Sequence, residues 1–283
     1  MSTSEREQVR VLNEDGTVVE GATVPDLDDG TLVEMYRVMR LARRFDERAV
    51  SLQRQGRMGT YPPLSGQEAA QVGSAMALSA DDWIFPSYRE HAAAYVLGVD
   101  LDRTLQYWMG DERGNAHAEA NVFPVAVPIA TQVLHATGAA WGSKLSGNEE
   151  AFLCYFGDGA TSEGDFHEGL NFAGVFDVPA VFLCNNNQWA ISVPRERQTA
   201  TETLAEKAEA YGFEGVLVDG MDPLAVYQVT EEAVEKAKRP EAATDRETGG
   251  KQRSESEPEP EPGRPRRPTL IEAVQYRFGA HTT

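Results

Sequence analysis

From Asp29 to Gly56 the apolar residues Leu32, Met35, Tyr36, Met39, Ala42, Phe45, Ala49 and Leu52 return every three or four positions, with charged residues between them. That period puts them on one stripe, so the spacing predicts a long amphipathic helix with Asp29 as its cap and Gly56 as its stop. A second helix is expected from Gly66 to Ser79, where Ala69, Ala70, Val72, Ala75, Met76 and Leu78 form a small-residue face suited to close packing. A third, rich in Ala and Gly, is expected from Ala126 to Leu145.

Between Glu150 and Asn187 the pattern changes. Ala151 to Phe156 and Pro179 to Cys184 are short apolar runs without polar alternation, as expected for strands covered on both faces. The segment between them, Glu163 to Phe176, carries Phe166, Leu170, Phe172, Ala173 and Phe176 at helical spacing, with Thr161 or Ser162 as N-cap. The three form a βαβ unit. Such crossovers are right-handed and join parallel strands, so Gly157-Asp158-Gly159 and Asn185-Asn186-Asn187 should share one rim of a sheet. Further on, Gly215 to Val218 and Thr269 to Phe278 read as strands and Pro223 to Lys238 as a helix. The stretch 239–268 holds six prolines among many Glu and Arg, with no side chain larger than Ala to join a core, and reads as a disordered acidic, Pro-rich loop. The domain division is an N-terminal extension, 1–28, followed by one α/β domain, 29–283, with no internal repeat.

Charge narrows the function classes. In 283 residues, 45 acidic side chains against 26 basic ones give a formal charge of -19, a field that repels nucleic-acid phosphate and anionic lipid. Only five of the basic residues are Lys, and the carboxylate-dominated surface suggests a halophilic protein whose self-repulsion is screened at high salt. Thermal melts at low and molar salt test this. Cys154 and Cys184 lie inside apolar runs and read as buried reduced thiols. No signal-like apolar region and no run of ~18 apolar residues is present, so neither nucleic acid nor membrane is an expected partner and the expected location is cytoplasmic.

The chemistry concentrates at Gly157-Asp158-Gly159-Ala160-Thr161-Ser162-Glu163-Gly164. A dinucleotide fingerprint needs Gly where Ser162 stands, and a phosphate loop needs Lys where Asp165 stands. What remains is an acid between two glycines at a strand end, leading into a helix N-terminus, with an Asn cluster at the next strand end. Glycines and a helix terminus favour a phosphate, whereas Asp158 repels it unless a cation lies between them. Mg²⁺, which takes one or two carboxylates together with phosphate oxygens, resolves that conflict.

This pattern resembles the GDG…NN motif of thiamine-diphosphate enzymes, and most closely the alpha subunit of the decarboxylating component of 2-oxoacid dehydrogenase complexes. The resemblance runs from about Met39 to the C-terminus. It includes Gly66-Gln67-Glu68, Pro86-Ser87-Tyr88-Arg89-Glu90, Pro128-Ile129-Ala130-Thr131-Gln132, the Gly157–Asp165 segment, Asn186-Asn187-Gln188-Trp189-Ala190-Ile191-Ser192 and Tyr276-Arg277-Phe278-Gly279-Ala280-His281. A lone GDG is a weak signal; this many matches in order are a strong one.

The resemblance implies a three-layer thiamine-diphosphate-binding fold with a mostly parallel sheet flanked by helices. It implies that Asp158, the Asn187 side chain and the Trp189 carbonyl hold Mg²⁺, that Tyr88 and Arg89 bind the diphosphate, and that the Gly159 and Ala160 amides add donors. Ile129 matches the apolar wedge that bends the cofactor, and His281 a histidine facing the substrate channel, able to donate to the diphosphate or shuttle a proton. Taken singly, each of these residues is more often a turn former, a surface charge or core. His117 lies near the expected channel, and His91, His135 and His167 read as structural.

The implied activity is thiamine-diphosphate-dependent decarboxylation of a 2-oxo acid, pyruvate or branched-chain, with acyl transfer to a lipoyl group on a partner acyltransferase. A beta subunit, in an alpha2beta2 heterotetramer, would supply the aminopyrimidine half of the site. The alternatives are the alpha subunit of an acetoin-cleaving thiamine-diphosphate enzyme and a noncatalytic truncated paralogue. The second arises because family alpha subunits continue past the segment matching His281, whereas this sequence ends at Thr283. The family commonly places a polar or charged residue before its two Asn; here that place is Asn185, so any diphosphate contact from an Arg there is lost.

Overall fold

The apolar runs pair side by side at the centre of a parallel sheet. In a computed structural model, which describes residues 7–239 and 267–283, the strands are β1 (Trp83–Phe85), β2 (Phe152–Gly157), β3 (Ala180–Asn186), β6 (Glu214–Asp219) and β7 (Thr269–Val274). Their order is β1-β2-β3-β7-β6, all parallel. A small antiparallel hairpin, β4 (Trp189–Ala190) and β5 (Val193–Pro194), stands off the end of β3. The helices are α1 (Asp29–Arg54), α2 (Glu68–Met76), α3 (His91–Val96), α4 (Leu101–Trp108), α5 (Thr131–Ser146), α6 (Gly164–Phe176) and α7 (Pro223–Lys238).

Alternation along the strands explains the three layers. Leu153, Tyr155, Val181, Leu183 and Ile271 point to one face, where Ala70 and Ala75 of α2 and Val226 and Val229 of α7 cover them. Phe152, Cys154, Phe156, Phe182 and Cys184 point to the other, against Val133 and Ala136 of α5 and Leu170 and Ala173 of α6. With both faces covered, no strand position needs a polar residue, hence the unbroken apolar runs. Each fully buried Leu or Phe here contributes roughly 1.5–3 kcal/mol. Helix α1 forms an outer layer, its Met35, Val38 and Ala42 packed on Leu64, Val72 and Ala92. The fold class therefore agrees with the sequence reading, and both cysteines are free and buried.

Several boundaries differ. Helix α1 is capped by Asp28, whose Oδ1 accepts from Thr31 N at 2.9 Å, and Asp29 is the first helical residue. Neither Thr161 nor Ser162 caps α6: Asp158–Ser162 forms a 3-10 turn in which Thr161 Oγ1 donates to the Asp158 carbonyl, and Glu163 is the flanking residue. The third helix begins at Thr131, not Ala126, because Pro128 disfavours helix in the residue before it and Ala130 turns the chain at φ 65°. The last strand ends at Val274, and Gln275 to Phe278 leave the sheet.

Within the stretch read as an N-terminal extension, Val9 adds to the sheet edge, donating to Leu217 O and accepting from Asp219 N, and Val11 joins the core. Of the loop expected at 239–268, residues 240–266 lie outside the described part. Its far end is not loose, since Arg267 is buried and its amide donates to Asp177 Oδ1 at 2.7 Å. Among the described residues, no helix is long and apolar enough to cross a membrane.

Candidate functional site

Register assembles the site. Gly157 on β2 pairs with Asn185 on β3, which pairs with Ala273 on β7, so the parallel strands end level and release their loops on one rim. A cavity of about 210 Å³ opens there. Its lining includes Tyr88, Arg89, Ile129, Asp158, Gly159, Ala160, Asn187, Trp189 and His281, so every residue to which the resemblance gives a cofactor or metal role meets at one place. His117 instead lines a smaller neighbouring cavity that shares Ser87 and Glu90 with the first.

Asp158 is 2% exposed, and its Oδ2 accepts from Gln198 Nε2 at 3.1 Å. Burial raises its pKa, while the Gln198 hydrogen bond and the charges of Arg195 and Arg277 pull the other way. Asn187 turns its Oδ1 back to accept from Trp189 N at 3.2 Å, fixing the local loop. Gly159 is required by close approach: a Cβ there would meet the Ala190 Cβ at 2.7 Å. Among the described residues, three of the four non-glycine residues with positive φ, Ala130, Gln188 and Ile191, lie in or beside the cavity wall, a concentration of backbone strain expected of a functional site.

Also in the lining, Arg89 is 5% exposed and anchored, its Nη1 donating to Pro63 O at 2.5 Å and its Nη2 to His281 O at 3.0 Å. The Tyr88 hydroxyl lies 3.4 Å from His281 Nε2. Burial and the charges of Arg89 and Arg277 lower the His281 pKa to about 4, so the imidazole is neutral near pH 7. Ile129 is 45% exposed at the mouth, held there by the irregular segment before α5.

Gln198, Gln67, Gln132 and Glu90 were not singled out. Gln67 and Gln132 line the cavity and keep buried Oε1 atoms without a partner. Gln67, Gln132 and Glu90 stood inside the quoted motifs, and their role appears only once the chain is folded. Gln198 lay in no motif at all. Together the wall offers a buried carboxylate, an amide oxygen, a guanidinium and a glycine with no room for a side chain. Among the described residues no group of three or more His, Cys, Asp and Glu gathers, so a soft-metal site is not formed. Hard oxygen donors beside an anchored Arg fit a diphosphate bridged by a divalent cation.

Fold and rim geometry define an α/β protein whose parallel-sheet edge opens on a cavity suited to a phosphate-bearing ligand. A transketolase mutant from Pichia stipitis has the same fold, with a TM-score of 0.60 and 14% identity over 85% of this chain and 36% of that one. The family model for the dehydrogenase E1 component matches residues 36–244, and the chain belongs to that family. Relatives include the pyruvate dehydrogenase E1 component subunit alpha of Staphylococcus aureus strain Mu50 and that of Staphylococcus epidermidis strain RP62A. Each is 41% identical over 280 residues, covering 99% of this chain and 69% of the relative. The chain is thus of the alpha-subunit type of a thiamine-diphosphate-dependent 2-oxoacid dehydrogenase.

Proposed function

We propose that the chain is the alpha subunit of a pyruvate-decarboxylating dehydrogenase component, which passes the acyl unit to a lipoyl group on an acyltransferase. The observation that carries the reading is the meeting of Asp158, Asn187, Tyr88, Arg89 and His281 around one rim cavity. When bound, thiamine diphosphate supplies the electron sink for loss of CO₂ from a 2-oxo acid.

The chain's own residues hold and orient that group. The Asp158 carboxylate, the Asn187 amide oxygen and the Trp189 carbonyl would bind Mg²⁺, and the cation in turn would relieve the cost of burying Asp158. Arg89 would donate to diphosphate oxygens from a guanidinium already aligned by Pro63 and His281, so little side-chain entropy is lost on binding. Tyr88 and the Gly159 and Ala160 amides would add donors, and Ile129 would press on the cofactor from the mouth. Neutral His281 would donate or take a proton at a ring nitrogen.

A cavity of about 210 Å³ is smaller than the roughly 300–1,000 Å³ pockets that enclose a drug-sized ligand. This supports a site completed by a beta subunit, which we place in an alpha2beta2 assembly of the cytoplasm. The test is co-expression with a beta subunit, followed by calorimetric titration with thiamine diphosphate and Mg²⁺ and assays of pyruvate, branched 2-oxo acids and acetoin. Mg²⁺-dependent binding and pyruvate-dependent CO₂ release by the assembled pair, with none from the chain alone, are expected. Absence of binding by the pair overturns the reading, and cleavage of acetoin in place of pyruvate corrects the substrate.

A further inference from the structure

A buried hydrogen-bonded chain runs between two segments that line the cavity, the Arg89 turn and the end of β3. Glu90 sits at the N-cap position of α3, yet its side chain caps no helix amide. Instead Oε2 accepts from Ser87 Oγ at 2.6 Å and Oε1 from Asn185 Nδ2 at 2.9 Å. Asn185 Oδ1 in turn accepts from Gln275 Nε2 at 2.9 Å. All three side chains are buried, with Glu90 and Asn185 each 3% exposed.

A carboxyl buried among neutral hydrogen-bond partners is costly, and a Glu that forgoes the nearby helix amides gives up a favourable position as well. Stability alone does not account for it. Glu90 directly follows Arg89, and Asn185 lies two residues before Asn187 and pairs in register with Gly157, the neighbour of Asp158. One side-chain bond therefore ties the turn carrying the guanidinium to the strand end carrying the oxygen donors. The next residue, Asn186, is tied separately, its Nδ2 donating to Glu272 Oε1 at 2.7 Å and its Oδ1 accepting from Gln188 N.

We propose that Glu90 is a positioning residue: through Asn185 it holds the Arg89 turn and the Asp158–Asn187 rim at the separation that a cation-bridged diphosphate requires. Asn185 is then the receiver of Glu90 and not a cofactor ligand. The proposal rests on the reading of the rim as a Mg²⁺ and diphosphate site.

The experiment measures thiamine diphosphate binding by the alpha–beta assembly, by calorimetry over a range of Mg²⁺ concentrations, with a thermal melt of each variant. Glu90→Leu and Asn185→Ala should each weaken binding about 10- to 100-fold, as removal of outer-shell partners of metal ligands does. The double variant should be no weaker than the worse single one, because both remove the same link. Glu90→Gln, which keeps an oxygen for Asn185 and offers its NH₂ to Ser87, should bind nearly as the unaltered protein does. Binding unchanged in Asn185→Ala, additive losses in the double variant, or Glu90→Gln as weak as Glu90→Leu would each overturn the proposal. Should Glu90→Leu fail to fold while Asn185→Ala and Glu90→Gln bind normally, Glu90 is merely structural and the proposal is again overturned. Absence of binding by the unaltered assembly would instead overturn the site reading beneath it.

Discussion

The Arg89 guanidinium donates to the backbone carbonyl of His281 across 192 positions of sequence, at 3.0 Å. This bond draws the segment after β7 back over the cavity. The return is reinforced where Phe278 N donates to Ser65 O at 2.9 Å. Ring and guanidinium are thereby fixed beside each other, and each sets the other's electrostatic surroundings.

His281 should consequently titrate near pH 4 in the folded chain, since burial and the charges of Arg89 and Arg277 disfavour the imidazolium. A folded-state pKa below the ordinary value of 6.5 means that the unfolded chain binds the proton more readily. The contribution of His281 to stability is then complete above about pH 6.5 and is lost as the pH falls toward 4. NMR titration of the ring protons reads the midpoint directly, and a value near 6.5 would contradict the described environment.

Asp158→Asn should separate stability from function. Without the cation, a neutral amide relieves the buried carboxyl of its desolvation cost, so the melting temperature of the chain should hold or rise slightly. Mg²⁺-dependent thiamine diphosphate binding by the alpha–beta pair should fall by at least ~10-fold, because an amide replaces the anionic ligand. A melt paired with calorimetry checks both, and retained binding would remove Asp158 from the cation site.

Asp222 performs two tasks with its two carboxylate oxygens. Oδ1 accepts from Leu224 N and Ala225 N at the start of α7, and Oδ2 from Val11 N at 2.7 Å and Leu12 N at 2.6 Å. Asp222→Ala removes a cap and leaves buried amides without partners, for an expected loss of about 2–4 kcal/mol. Denaturant melts give the loss, and limited proteolysis should cut first in residues 9–19. An unchanged melt would show that the sheet edge holds this strap without Asp222.

Gly66→Ala should be among the more damaging substitutions of a small residue. The position has φ +98°, and an added Cβ would lie 2.0 Å from the Tyr276 carbonyl oxygen. A loss above about 2 kcal/mol is expected, because the obstruction is backbone and cannot rotate away. The same substitution should loosen the return segment that carries His281, visible as faster amide exchange from Gln275 onward.

Much of the site was legible because its chemistry is local. Asp158 between glycines and the Asn185–Asn187 cluster at the next strand end follow from strand length and crossover handedness, whereas Tyr88, Arg89, Ile129 and His281 stood out only through the family resemblance. The contributions of Gln198 to Asp158, of Gln67 and Gln132 to the cavity wall, and of Glu90 to Asn185 were not legible, because each joins segments distant in sequence or depends on side-chain direction. The strap at Val9 to Val11 is illegible for the same reason: an isolated pair of valines has no periodicity until a strand edge lies beside it.

By itself the sequence determined that two apolar strands flank a crossover helix, and that a parallel connection must bring an acid and an Asn cluster to one edge. Helical stripes and unbroken strand runs encode which faces are dry, and that is a property of neighbours along the chain. Only the tertiary structure decided which buried polar groups find partners, how far the imidazole is held from its ordinary proton affinity, and which carboxyl braces the rim from behind. Those outcomes depend on desolvation and on hydrogen bonds closed across the fold, and neither exists until the layers have packed.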